Sequence, residues 1–276
     1  MERIAFYGKG GIGKSTIAAG VSMALARSGK RVLHVGCDPK HDSCLSLLPA
    51  GTRCATVIDA LHSTPAGSLL ARDFVHPGKD GIDCVESGGP QSGVGCGGRA
   101  VSRMFDLFDQ LGLLDQTRYD AVVFDVLGDV VCGGFAAPLR ARVAPKVAIV
   151  LSEEMMAAYA ACMVSRAVLH YLDNGVCLAG LVVNRRDNRA SLAPVNRLAE
   201  ALDTRILVEI PRSRDVLEAE LDGRSVIETA PRCNAARALQ SLAQELFDLD
   251  PSACRPPGQV DLETLRALMR TRAGET

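Results

Sequence analysis

The chain has 276 residues, 47% of them hydrophobic, and a formal net charge of -1. A chain of this length buries the core of one α/β domain or of two small ones, and its charge balance argues against a general affinity for nucleic acid. No apolar run reaches the roughly 20 residues that a membrane-spanning helix needs, and the first residues lead into a predicted strand and loop rather than a signal peptide. We therefore expect a cytoplasmic protein that binds neither nucleic acid nor a membrane.

Short apolar runs alternate with stretches of helical spacing along the chain. Strands are predicted over residues 3–7, 31–35, 121–125, 146–151, 178–183 and 205–209. Helices are predicted over residues 14–28, 153–172, 193–202 and 235–247. Continuous apolar strands separated by helices are typical of an α/β fold, with a mostly parallel sheet flanked by helices. In such folds the loops at the carboxyl ends of the strands carry the function.

The composition changes only near the C-terminus, where the segment DPSACRPPGQ contains three prolines. Such a segment is typical of an extended linker, and residues 260–272 could then form a short helix. We therefore assign residues 1–249 to one domain and residues 250–276 to a Pro-rich linker and a C-terminal tail helix.

A glycine-rich loop, GKGGIGKST at residues 8–16, lies between the first predicted strand and the first predicted helix. It fits G-x-x-x-x-G-K-[ST] in the context that indicates a phosphate-binding loop (P-loop). Backbone N–H groups of such a loop cradle phosphate oxygens, and the following helix N-terminus favours an anion. In this pattern Lys14 neutralises the β- and γ-phosphates and Ser15 can bind Mg²⁺. The predicted nucleotide-binding residues of the loop are Gly8, Lys9, Gly10, Gly11, Ile12, Gly13, Lys14, Ser15 and Thr16.

The extra lysine, Lys9, is typical of the "deviant" Walker A subclass, in which it reaches across a dimer interface to the partner's nucleotide.

Four aspartates are predicted to lie near the phosphates. Asp125 ends a buried strand, where a Walker-B carboxylate holds Mg²⁺ through water, and Asp129 follows in the same loop, where it could orient the attacking water. Asp38 and Asp42 follow the second strand and reach the same edge of the sheet. Any one of them could be a turn or cap residue, but four beside a P-loop favour a γ-phosphate sensor.

The ten cysteines include no CxxC pair, so the usual zinc and ferredoxin spacings are absent. Cys96 and Cys132 both lie in glycine-rich, uncharged loops. Two thiolates are too few for an iron–sulfur cluster, which usually needs four, but a twofold dimer would supply four on its axis. The alternative is that both are unliganded loop thiols.

Several long motifs together resemble the nitrogenase iron protein family, the ATP-dependent dinitrogenase reductases, over residues 3 to about 245. These motifs are YGKGGIGKST, GCDPKHDS, ESGGPQSGVGCGGR, FDVLGDVVCGGFAAPLR and LSEEMMAAYAA. The resemblance implies a homodimer that binds Mg-ATP in each subunit and one [4Fe-4S] cluster bridged by Cys96 and Cys132 of both subunits. It also implies a ferredoxin or flavodoxin as electron donor and a transient complex with a larger catalytic metalloprotein. Residues 1–249 would then be a P-loop ATPase and iron–sulfur domain.

The resemblance also implies roles for single positions. Residues 38–43, with Lys40 among the nucleotide contacts, correspond to switch I, and residues 125–134 correspond to switch II. Arg99 corresponds to the arginine that docks the partner beside the cluster. Asn184 corresponds to the residue that contacts adenine, and Pro211 and Arg212 lie in the adenine segment.

The sequence departs from the family pattern in switch I, where His41 and Cys44 replace a small residue and a threonine, and between residues 61 and 81. These departures indicate a nitrogenase-like branch, and we favour a reductase for methylthio-alkane reductase or for an alternative nitrogenase. Reductases of the dark chlorophyll-synthesis enzymes or of the nickel-tetrapyrrole cyclase are further candidates. The close match of LGDVVCGGFAAPLR to nitrogenase sequences disfavours these tetrapyrrole branches. The main alternative is a partitioning or cell-division-type dimerising switch ATPase without a cluster. A small-molecule ligase or kinase on the same fold is a second one. Neither explains Cys96 and Cys132.

Overall fold

The computed structural model describes residues 1–65, 67–90, 95–115, 117–128, 136–140 and 143–270. Two predicted site residues, Asp129 and Cys132, lie outside these ranges. The strands within them are β1 (Glu2–Tyr7), β2 (Val32–Cys37), β3 (His76–Pro77), β4 (Asp83–Glu86), β5 (Ala121–Val126), β6 (Lys146–Leu151), β7 (Cys177–Asn184) and β8 (Ile206–Ile210). The α-helices are α1 (Lys14–Arg27), α2 (Val57–Ser63), α3 (Gly97–Gln110), α4 (Met155–His170), α5 (Ala193–Ala201), α6 (Arg214–Leu221), α7 (Val226–Thr229), α8 (Asn234–Asp248) and α9 (Leu262–Met269).

These strands form one sheet in the order β3-β4-β2-β5-β1-β6-β7-β8. All neighbouring pairs are parallel except β3 and β4, which are antiparallel. The predicted fold class, a mostly parallel sheet flanked by helices, is confirmed. Strands β1 and β5 are neighbours in the middle of the sheet, so the loops at their carboxyl ends lie side by side.

The central strands form because their residues are apolar on both faces. Every residue of β2, β5 and β6 is buried, as expected for strands covered by helices on both sides. Helices α1 and α8 pack against each other, and Leu239 of α8 lies where a Cβ at Gly20 would touch it. The missing side chain at Gly20 therefore permits the close approach of these two helices.

The charged side chain of Lys146 is fully buried within this core. Lys146, at the start of β6, contacts Glu2 at 2.5 Å and donates to the carbonyl oxygens of Leu246 and Phe247 at 2.9 and 3.0 Å. The ammonium group therefore ties the end of α8 to the start of the sheet, and its three donors have acceptors.

The C-terminal tail packs against the rest of the molecule. Helix α9 contacts α5 and α4, and Leu265 is fully buried in the same hydrophobic core as the sheet. The guanidinium group of Arg197 donates to the carbonyl oxygens of Leu268 and Arg270 at 2.9 and 2.8 Å. The division of the chain after residue 249 stays a prediction. Within the described ranges, no helix is long and apolar enough to cross a membrane.

Candidate nucleotide and cluster site

The P-loop leaves the end of β1 and enters α1 at Lys14. Gly8, Gly11 and Gly13 have φ angles of 142°, 72° and 97°, which side-chain-bearing residues rarely adopt. A Cβ at Gly8 would overlap the carbonyl oxygen of Val150 in β6. The glycines thus let the loop lie against the sheet directly before a helix N-terminus, which is the local geometry of a phosphate site.

Asp125, near the end of β5, is 3% exposed and lies beside this loop. Its Oδ2 accepts a hydrogen bond from Ser43 at 2.6 Å, whereas its buried Oδ1 has no hydrogen-bond partner among the described residues. Burial raises the pKa of Asp125, while the hydroxyl groups of Ser15 and Ser43 and the charge of Lys14 act in the opposite direction. A buried carboxylate oxygen without a partner is costly. Asp125 therefore fits a role in holding Mg²⁺ and its waters.

The segment after β2, predicted as switch I, forms a tight turn. The side chain of Asp38 accepts from the backbone N–H of Lys40 at 2.9 Å, and His41 has a φ of 48°. Asp42 is exposed, but its charge contributes to the raised pKa values of Asp125 and Glu86. The structure thus brings Asp42 near Asp125, while Asp38 and Lys40 shape the turn itself.

A cavity of about 190 Å³ lies on the other side of the P-loop. Asn184 at the end of β7 donates to the carbonyl oxygen of Ile12 at 2.7 Å, so the predicted adenine residue already touches the P-loop. The cavity is also lined by Pro211 and Arg212. The side-chain amide of Asn188 donates to the backbone carbonyl oxygen of Arg212 and accepts from its N–H, both at 2.9 Å. The predicted adenine residues are therefore brought together at one cleft.

Thr16, the last residue of the P-loop, lines the same cavity. Its hydroxyl donates to Glu220 of α6 at 2.5 Å. Lys9 is half-buried, and its carbonyl oxygen accepts from the backbone N–H of Ile12 at 3.2 Å. The contact of Lys9 with a second subunit stays a prediction.

Cys96 lies directly before α3, at the N-terminal cap position of that helix. Among the described cysteines it alone is exposed, and the preceding Gly95 has a φ of 94°. The partial positive charge of a helix N-terminus favours a thiolate. An open cavity of about 780 Å³ beside it is lined by Cys96, Arg99, Arg103 and His62 among others. An exposed thiol in an uncharged glycine loop suits an iron–sulfur ligand, with positive side chains nearby.

A model of the 4Fe-4S iron sulfur cluster binding proteins of the NifH/frxC family matches residues 2–273. The chain belongs to this family. The predicted resemblance is thereby confirmed, and so is the interpretation of the chain as an ATP-hydrolysing component of an oxidoreductase.

Members of the NifH/frxC family with similar sequences cover almost the whole chain. "Nitrogenase iron protein 2" from Methanothermococcus thermolithotrophicus is 38% identical over 285 residues, which cover 99% of this chain and 97% of that protein. The nitrogenase iron protein of Methanospirillum hungatei JF-1 is 40% identical over 274 residues, covering 98% and 96%.

Solved structures of other P-loop proteins share the fold. The cell division ATPase MinD of Pyrococcus furiosus has a TM-score of 0.71 at 22% identity, with 91% of this chain and 100% of that chain covered. MinD of Aquifex aeolicus has a TM-score of 0.70 at 18% identity, covering 91% and 98%. At these identities the likeness shows the common architecture only, and the match to the NifH/frxC family separates this chain from the switch-ATPase alternative.

The other cysteines within the described ranges differ from Cys96 in their surroundings. Cys37, Cys44, Cys84, Cys162 and Cys177 are buried in the core. Cys54, Cys233 and Cys254 are partly buried, and the sulfur of Cys233 accepts the N–H of Ala236 at the start of α8. They act as packing or capping residues, as expected for small apolar side chains.

Three polar residues near the site were not singled out from the sequence. Glu86 accepts the backbone N–H of Cys44 in switch I at 2.7 Å. Arg186 donates to the carbonyl oxygen of Gly11 in the P-loop. His34, inside β2, is fully buried. For His34 the signal is a polar residue inside an apolar strand, where its burial requires a partner. Glu86 and Arg186 carry no such signal, because Glu86 ends the four-residue strand DCVE and Arg186 is only half-buried after β7.

Proposed function

We propose that this chain is the ATP-dependent reductase component of a nitrogenase or nitrogenase-like enzyme. Its homodimer would bind one [4Fe-4S] cluster through Cys96 and Cys132 of both subunits, and Mg-ATP in each subunit. When bound, the cluster supplies a low-potential one-electron donor. The observation that carries the proposal is the exposed Cys96, in a member of a cluster-binding family whose P-loop and Asp125 suit Mg-ATP.

The nucleotide chemistry rests on residues at the carboxyl edge of the sheet. The P-loop and Lys14 would bind the β- and γ-phosphates, and Ser15 with the buried Oδ1 of Asp125 would hold Mg²⁺ and its waters. Asp129 would orient the attacking water. Asn184 and the segment at Pro211 would place the adenine in the neighbouring cleft.

Coupling between nucleotide and cluster would run through the two switch segments. Ser43 in switch I already bonds to Asp125 at the start of switch II at 2.6 Å, so a γ-phosphate that moves one segment acts on the other. Switch II continues toward Cys132 within a few residues. In P-loop proteins, switch segments usually become ordered when the γ-phosphate is bound and are released after hydrolysis.

The partner would be a larger catalytic metalloprotein that docks around Arg99, with a ferredoxin or flavodoxin as the donor to this component. We propose methylthio-alkane reductase or an alternative nitrogenase as that partner, because of the departures at His41 and Cys44 in switch I. Arg99 is exposed and lines the open cavity beside Cys96, where a partner has access.

The first experiment measures iron and acid-labile sulfide in the anaerobically purified dimer, and follows chelator-accessible iron with and without Mg-ATP. We expect four irons and four sulfides per dimer, by the usual four-cysteine rule, with chelation accelerated by Mg-ATP. Cys96→Ala should lose the iron. Cys254→Ala, which removes a partly buried thiol, is the matched control and should keep it.

Lys14→Met separates the two halves of the proposal. It should keep the iron but lose the response of chelation to ATP, because the phosphates lose their main cation. Full iron content in Cys96→Ala would refute the cluster assignment. No iron after anaerobic reconstitution of the wild-type protein would favour a dimerising switch ATPase instead.

A further inference from the structure

Four buried side chains are hydrogen-bonded in a row from α1 to Asp125. Ser22 Oγ lies 2.8 Å from Nδ1 of His34, and Nε2 of His34 lies 2.9 Å from Oγ of Ser43. Ser43 then donates to Asp125 Oδ2 at 2.6 Å. Ser22 and His34 are 0% exposed, and Ser43 and Asp125 are 2% and 3% exposed. The row joins a helix, a central strand, switch I and the carboxylate beside the P-loop.

The hydrogens available to these groups fix the direction of the row. Ser43 donates to Oδ2 of Asp125, so its single hydroxyl hydrogen is used in this bond. Ser43 must then accept from Nε2–H of His34, and Nδ1 of the same ring must accept from Ser22. The ring is neutral, because burial lowers the pKa of His34 to about 3. Each donor therefore points toward Asp125.

We propose that His34 is a positioning residue for the metal–nucleotide site. Its Nε2–H holds Ser43 so that the serine hydroxyl binds Oδ2 of Asp125, which leaves Oδ1 directed to the water shell of Mg²⁺. This inference rests on the proposed function, since it assigns Mg²⁺ to Asp125. An apolar side chain would fill the same volume in β2 but would leave the hydroxyl of Ser43 free to rotate away from the carboxylate.

A simpler role, that of a satisfied core histidine, makes a different prediction. If His34 only filled space, its substitution would lower stability and would weaken the binding of metal and of nucleotide to the same extent. If it positions Asp125 through Ser43, losing the Nε2 donor should weaken metal binding and leave the binding of nucleotide without metal unchanged. Metal affinity should then depend on whether a donor remains at the position of Nε2, and not simply on whether the histidine has been replaced.

Two near-matched substitutions separate these roles. His34→Gln places an amide donor close to the position of Nε2, so the bond to Ser43 is kept. His34→Asn places its amide close to Nδ1, so only the contact with Ser22 is kept. His34→Leu removes both contacts. All three are compared as cluster-loaded dimers with equal iron content and equal circular dichroism.

The measurement is the affinity of Mn²⁺, used as a spectroscopic probe for Mg²⁺, in the presence of saturating ADP, from the electron paramagnetic resonance signal of free Mn²⁺. We expect His34→Asn and His34→Leu to bind Mn²⁺ about tenfold more weakly, as for the loss of one hydrogen bond that orients a charged group. His34→Gln should stay within about threefold of wild type by the same reasoning. ADP binding in the presence of a chelator should be equal in all.

Equal Mn²⁺ affinity in wild type and His34→Asn would overturn the inference, as would an equal loss in His34→Gln and His34→Asn. The Gln and Asn variants decide the matter even where His34→Leu fails to fold, because both keep a polar side chain in the core. Failure of the proposed function looks different: wild-type dimers would then contain no iron after reconstitution, or wild type itself would show no metal-dependent binding of ADP.

Discussion

Replacing Glu86 by glutamine should stabilise the protein, increasingly so as the pH rises. Glu86 is 1% exposed in β4; Oε1 accepts from the N–H of Cys44, and its buried Oε2 has no hydrogen-bond partner among the described residues. Burial raises the pKa of Glu86 from 4.5 to about 8, with the charges of Asp125 and Asp42 adding to the rise. A glutamine keeps an acceptor for Cys44 and cannot ionise.

The sign and size of the stability difference between wild type and Glu86→Gln follow from proton linkage. The unfolded chain loses the proton of Glu86 near pH 4.5 and the folded chain near pH 8, so between these values the folded state binds more protons. The free energy of unfolding of the wild type then falls by up to about 1.4 kcal/mol per pH unit. Between pH 4.5 and about pH 8, the free energy of unfolding of the wild type falls by at most about 5 kcal/mol. Glu86→Gln does not show this loss, because glutamine cannot ionise.

The assay is anaerobic thermal unfolding of wild type and Glu86→Gln at pH 6, 7, 8 and 9, followed by circular dichroism. We expect the difference between their midpoints to widen up to about pH 8, reach roughly 5–10 °C and then stay constant. Asp59→Asn is the matched control. The N–H of Thr56 lowers the pKa of Asp59 by hydrogen bonding, so its effect should not vary above pH 6. A midpoint difference for Glu86→Gln that is independent of pH would refute the reasoning.

Three further substitutions test the P-loop, the core and the tail. Gly13→Ala should weaken ATP binding at least about tenfold, measured by equilibrium dialysis, because this residue has a φ of 97° and a Cβ would overlap the side-chain amide of Asn184 at the end of β7. Unchanged binding would contradict the need for glycine. Lys146→Met should lower the free energy of unfolding by about 3 kcal/mol, since the ion pair with Glu2 and two buried carbonyl bonds are lost; thermal unfolding measures this, and an unchanged midpoint would argue against the contact. Leu265→Ala should cost about 2–5 kcal/mol because this side chain is fully buried. The exposed Leu262 of the same helix provides a control substitution to alanine that should be nearly neutral, and equal midpoints for the two would mean that the tail is not packed.

The central strands and the P-loop could be predicted because each has a strong local signal. Strands β5 and β6 are apolar runs with a single charged residue near one end, and the P-loop pattern is specific in its position between strand and helix. Strand β4, DCVE, was missed because it has only four residues with an acid at each end. Helix α3 was missed because it opens with two glycines, which are poor helix formers.

Contacts within the site depend on register, which a single sequence does not contain. Gly36 of β2 pairs with Asp125 of β5, and the segment that follows β2 brings Ser43 onto that carboxylate. The same register leaves His34 inside the sheet, within reach of Ser43 on one side and Ser22 on the other. Local periodicity identifies strands but not their neighbours, so the row of hydrogen bonds that ends at Asp125 could not be foreseen.

One side of the sheet ends in β3, a strand of only two residues, His76 and Pro77. Proline has no N–H to offer to an incoming strand, and the ring of His76 is bonded to the carbonyl oxygen of Ala55 at 2.9 Å. Short edge strands that contain proline obstruct the pairing of sheets between molecules. Copies of this chain are thereby hindered, on this side, from joining into a continuous sheet.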